Sequence, residues 1–165
     1  MTVNVFVWLP KGEDVGHTAL GIDGNFYISF WPNKANKSFA GSIVRSLNIN
    51  VARAPLYQDY DFDLNKLGFE PIVIDIEGLN EEKIREYWLK IKESELDWKL
   101  AEFNCATMIA NCLYLGSSFE PSFSPLASLD LYIGLGLPLG EVEAWEPKTI
   151  LRYAKEIQKF KFENK

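Results

Sequence analysis

The chain has 165 residues, 47% apolar and 14% aromatic, enough to bury the core of about one domain and to exclude disorder as its default state. Its 17 Lys and Arg against 23 Asp and Glu leave a net charge of −6, which disfavours nucleic acid and anionic lipid surfaces as partners; the one basic cluster is the C-terminal KEIQKFKFENK. No segment reaches the roughly 20 apolar residues of a membrane span, so no integral membrane segment is expected.

The N-terminal MTVNVFVWLPKGED lacks a basic leader, and its apolar run is broken by Asn4 and ended by Pro10. It reads as a strand and not as a signal peptide. Val3–Pro10 carries β-branched and aromatic residues on both alternating faces, which predicts a strand covered on both sides. Val15–Ile22 and Phe26–Trp31 flank Asp23-Gly24, the pattern of an antiparallel hairpin. From Pro32 to Gly68 no sustained period is visible, and mostly loop with one short strand is expected. Pro71–Ile76 returns to strand character. In LNEEKIREYWLKIKES, Ile84, Tyr87, Trp88 and Ile91 share a helical face, with Asn80 as N-cap, Leu79 and Ile84 as a hydrophobic staple, and Glu81 and Glu82 at the positive helix start. A second helix is predicted from Asn104 to Gly116, burying Met108, Ile109, Cys112 and Leu113. A third fits EPKTILRYAKEIQKF, with Pro147 in the first turn and Ile150, Tyr153, Ala154 and Ile157 as its stripe. Ser117–Glu146, rich in Pro, Ser and Gly, is expected to cover the surface as a long loop or short helical turns. With no repeat and no boundary, residues 1–165 read as a single domain.

Both cysteines lie in FNCATMIANCLYLG, Phe103–Gly116. Seven residues apart on one helix they stand roughly 10 Å apart along the axis, beyond disulfide reach, so both thiols are expected free, as in a reducing compartment. If Asn104 caps the helix, Cys105 sits in the first turn, where free N–H groups and the helix dipole favour a thiolate. Cys112, between Ile109 and Leu113, reads as a packing residue. The sole histidine, His17, would by itself be a structural strand residue; paired with Cys105 it becomes a candidate base. A third group should orient the imidazole. Tyr27, Ser29 and Trp31 share a face that the hairpin can set beside His17, and Ser29 is the preferred orienter, although a hydroxyl holds an imidazolium less strongly than a carboxylate would. One histidine and two distant thiols do not make a zinc set, and neither metal nor cofactor is expected.

GHTALGIDGNFYISFWP followed much later by FNCATMIANCL resembles the circularly permuted branch of the NlpC/P60, papain-like superfamily, in which the histidine strand precedes the cysteine helix. The resemblance extends to a YxSxWP segment at Tyr27, Ser29, Trp31 and Pro32, to Gly78-Leu79 before a helix carrying Trp88, and to a final WxP…YA at Trp145, Pro147, Tyr153 and Ala154. More distantly the chain is similar to lecithin:retinol acyltransferase-like proteins, whose histidine box and Asn-Cys motif correspond to His17 and Asn104-Cys105. The resemblance implies an α+β, papain-like core in which an antiparallel sheet packs against the cysteine-bearing helix. It also implies thiol chemistry through an acyl-enzyme, with Cys105 as nucleophile, His17 as base and acid and Ser29 at the third polar position; Trp31, Tyr27 and Asn104 are expected to contact substrate.

The chain departs from the acyltransferase branch, which commonly has a second histidine where Ser29 stands, and acidic or histidine residues where Ala106-Thr107 follow Asn-Cys. No membrane anchor follows the cysteine. These differences weaken a lipid substrate and leave a peptide, amide or conjugate. The expected function is a cysteine hydrolase of an amide, peptide or isopeptide bond, with a thiol acyltransferase and a non-catalytic binding module on the same fold as alternatives. Free thiols and the missing export signal fit a cytoplasmic bacterial protein or an effector delivered without a classical signal peptide.

Overall fold

Alternation along the first strand decides the architecture. In β1 (Thr2–Trp8), Val3, Val5 and Val7 are wholly buried on one face, while on the other Trp8 is wholly buried too. A strand apolar on both sides needs cover on both. The computed structural model, which describes residues 2–12, 14–32, 51–52, 56–94, 96, 98–99, 103–128 and 141–164, is α+β and supplies that cover. β2 (His17–Ile22), β3 (Phe26–Trp31), β5 (Leu56–Tyr57) and β6 (Ile72–Glu77) join β1 in an antiparallel sheet of order β5-β3-β2-β1-β6. Two small pairings accompany it: β4 (Val51–Ala52) with β7 (Trp98–Lys99), and β8 (Leu126–Ser128) with β9 (Glu141–Glu143). The latter replaces part of the loop expected between Ser117 and Glu146. The expectations for 33–50 and 129–140 lie outside the described residues.

Three helices cover the valine face. α2 (Glu81–Glu93) starts at Asn80, whose side chain accepts from the Lys83 N–H at 3.1 Å, and buries Ile84, Trp88 and Ile91. α3 (Cys105–Ser117) and α4 (Pro147–Glu163) pack on the sheet and on each other. Glu146 and Thr149 close a capping box at the start of α4, and Ile150, Tyr153, Ala154 and Ile157 form its buried stripe. Leu20, Ile22, Ile28, Phe30, Ile74 and Ile76 complete the core from the sheet side.

Gly116, expected to end α3, lies inside it; the left-handed cap is Ser118. Packing explains the glycine. A Cβ there would meet the Ile84 Cδ1 at 2.6 Å, and the Gly116 carbonyl accepts from the Asn80 N–H at 2.8 Å, so α2 and α3 approach at a point with no room for a side chain.

The opposite face carries a helix where loop was expected. α1 (Tyr60–Leu67) is capped by Asp59, which accepts from the Phe62 N–H at 2.8 Å, and stops at the left-handed Gly68. It buries no aliphatic stripe: its one buried residue is Asp63. Tyr60 meets the rings of Phe6, Trp8 and Tyr27, so this side of the sheet is covered by aromatic rings around a carboxylate.

Candidate active site

The hairpin register places the polar residues. Ala19 pairs with Ser29 and Gly21 with Tyr27, so His17, two residues before Ala19, shares its face with Tyr27, Ser29 and Trp31. Gly16 sets where β2 begins. Its φ is +80° and a Cβ there would lie 2.4 Å from the Trp8 carbonyl, so only glycine lets the chain pass and deliver His17 opposite Trp8.

The His17 ring is 1% exposed and stacks on Trp31 with centroids 4.1 Å apart and planes 19° apart. Its Nε2 lies 3.0 Å from the Ser29 Oγ and 3.3 Å from Oδ2 of Asp63. Asp63 is 0% exposed and fully engaged: Oδ1 accepts from the Trp31 Nε1–H at 2.6 Å, and Oδ2 from the Tyr27 hydroxyl at 2.8 Å. A buried carboxylate surrounded by donors stays ionised and fixes the imidazole that faces it. Burial opposes charge on Asp63, but bonds from His17, Ser29 and Trp31 outweigh it and hold its pKa below the usual carboxylate range.

The thiol approaches from the helix side. The Asn104 Oδ1 accepts from the Thr107 N–H at 2.9 Å and from its hydroxyl at 3.3 Å, while Nδ2 donates to the Trp145 carbonyl at 3.0 Å. This cap makes Cys105 the first residue of α3, where backbone N–H groups have no intrahelical partner and the dipole is positive. Cys105 is half-buried, Cys112 buried, and both thiols are free. Burial opposes charge on the Cys105 sulfur, but the nearby charge of His17 and the polar N–H and hydroxyl of Thr18 prevail and lower the thiol pKa. Burial likewise opposes charge on His17, yet the Cys105 thiolate and Asp63 raise its pKa to about 9. Burial alone acts on Cys112 and pushes its pKa up.

Cys105, His17 and Ser29 are thus brought together as a group. Tyr27 and Trp31, expected to contact substrate, have their polar atoms committed to Asp63, and Asn104 is committed to the helix cap and Trp145. Asp63 is the site residue that sequence reading does not single out. The signal that could have found it is Asp59 followed nine residues later by Gly68, a helix start and stop around an unexpectedly polar segment. Among the described residues no group of three His, Cys, Asp or Glu could hold a metal ion, and no helix is long and apolar enough to cross a membrane. Compared with protein-family models, curated proteins and solved structures, the chain gives no match.

Proposed function

We propose that the protein is a cysteine hydrolase on a permuted papain-like core, with Cys105 as nucleophile, His17 as base and acid, and Asp63 and Ser29 orienting the imidazole. The observation that carries the reading is an imidazole held at Nε2 by a buried carboxylate and close enough to a thiol on the first residue of a helix for each to favour the other's charged form. With Nε2 held, Nδ1 is left to exchange a proton with sulfur. The thiolate attacks the carbonyl carbon of an amide, peptide or isopeptide: the S–C bond forms as the carbonyl π pair moves onto oxygen. When that pair returns, the C–N bond breaks and the His17 imidazolium gives its proton to the departing amine. Water, deprotonated by His17, then attacks the thioester, releasing a carboxylic acid and restoring the thiol. Burying these ionised groups is costly, and a catalytic role for them is what favours this reading over a binding module.

The test is to incubate the protein with a complex peptide mixture in heavy-oxygen water and read the products by mass spectrometry. New carboxyl groups carrying the heavy isotope are expected with the wild type and absent with Cys105→Ala. Neither labelled products nor an acyl adduct on Cys105 would overturn the reading, and an adduct that passes to added amines in preference to water would reassign it to acyl transfer.

A further inference from the structure

Thr18 follows His17 on β2 and is wholly buried. Its hydroxyl is the one buried side-chain polar atom among the described residues without a hydrogen-bond partner. Leaving such a group unpaired is destabilising. Its register partner on β1 is Val7, and Leu20 and Ile22 follow on the same face, so packing alone would favour valine, which has threonine's shape without the polar atom. The neighbour that makes sense of the hydroxyl is Cys105, because α3 packs on β2 and the Thr18 N–H and hydroxyl both favour charge on its sulfur.

We propose that the Thr18 hydroxyl is an oxyanion donor for the carbonyl substrates of Cys105, an inference that rests on the nucleophile assigned above. In the resting site the negative charge is on sulfur. Once the S–C bond forms, sulfur becomes a neutral thioether and a poor acceptor, and the charge appears on the oxygen two bonds away. A donor beside sulfur with no other partner is free to follow it. The hydroxyl and the Cys105 N–H then hold the oxyanion until the π pair returns and the leaving group departs, and the Thr18 proton stays on its own oxygen throughout. Such a donor acts in acyl transfer and is idle in a displacement at saturated carbon, where no oxyanion forms.

Two small reagents separate these cases without knowledge of the natural substrate. p-Nitrophenyl acetate acylates a thiolate through an oxyanion and releases p-nitrophenolate, whereas iodoacetamide alkylates the same thiolate by displacing iodide. Thr18→Val should slow alkylation of Cys105 by no more than about threefold, through a smaller thiolate fraction, and acylation by about tenfold or more beyond that. Thr18→Ser, which keeps the hydroxyl, should restore acylation to within about threefold of wild type. Thr18→Ala reports the same ratio of rates if the valine variant does not give a wild-type melt. Equal slowing of both reactions, or a serine variant as slow in acylation as valine, would overturn the proposal. The underlying nucleophile is judged separately on the wild type: if neither reagent modifies its Cys105 faster than that of His17→Ala, the catalytic pair itself fails.

Discussion

Two turns of one helix carry the same side chain into opposite chemistry. At the first turn of α3, Cys105 meets an imidazole, a polar strand residue and the positive end of the helix, and its pKa falls. At the middle, Cys112 is enclosed by the apolar core and its pKa rises. Helix and residue type being shared, the difference lies in what each turn is packed against, and in the Asn104 cap that decides which residue comes first.

The largest expected effect puts that contrast to a direct test. Near pH 6, iodoacetamide should label Cys105 at least about a hundredfold faster than Cys112, as read by peptide mass spectrometry. Because the Cys105 pKa is lowered, its rate should persist as the pH falls below the ordinary thiol value of 9.0; His17→Ala should return the fall in rate toward that value. Equal labelling of the two cysteines breaks the comparison.

Asp63→Asn removes the charge that orders the first turn's surroundings. The amide cannot accept from His17, Tyr27 and Trp31 as the carboxylate does, and a loss of about 2–4 kcal/mol in urea unfolding is expected. The sign of its pH dependence follows from the lowered pKa. The carboxylate's contribution is present above its ordinary value of 3.8 and is lost as the pH falls through the lower folded value. Wild type should therefore lose its advantage over the variant in acid; an advantage constant down to that range would mean the carboxylate is not held as described.

Gly116→Ala acts at the other end of the helix. Its Cβ must displace the tip of Ile84, an overpacking expected to cost about 1–3 kcal/mol, while Cys105 alkylation in the folded protein stays at the wild-type rate. A change in that rate would show that the two ends of α3 are mechanically coupled. The smallest effect belongs to Ser29→Ala. Asp63 still holds Nε2, so the rate of acylation should fall by about tenfold at matched thermal melts. A variant as inactive as Cys105→Ala would move the orienting role from Asp63 to Ser29.

The hairpin, α2 and α4 could be read from the sequence because each buries apolar residues at its own period; Ile150, Tyr153, Ala154 and Ile157 are the clearest case. α1 could not, since the position that a periodic reading expects to be apolar holds Asp63, and a helix that buries a carboxylate loses the hydrophobic signal that would reveal it. For the same reason Ser29 was legible, on a strand whose register follows from a short turn, and its stronger partner was not. Gly116 misled for a different reason: glycine favours a helix end by backbone freedom and a helix crossing by its lack of a side chain, and only the position of Ile84 distinguishes the two.

The bond from Asn104 to the Trp145 carbonyl spans 41 residues, and it gives the start of α3 an order of assembly. A ribosome completes His17, Asp63 and Cys105 before it reaches Trp145, so the cap that puts Cys105 at the head of its helix lacks this anchor until Trp145 emerges. Nascent chains, and chains cut by a protease ahead of Trp145, keep the local bonds from Asn104 to Thr107 but lack this anchor, and should hold Cys105 less firmly at the head of its helix than the finished protein does.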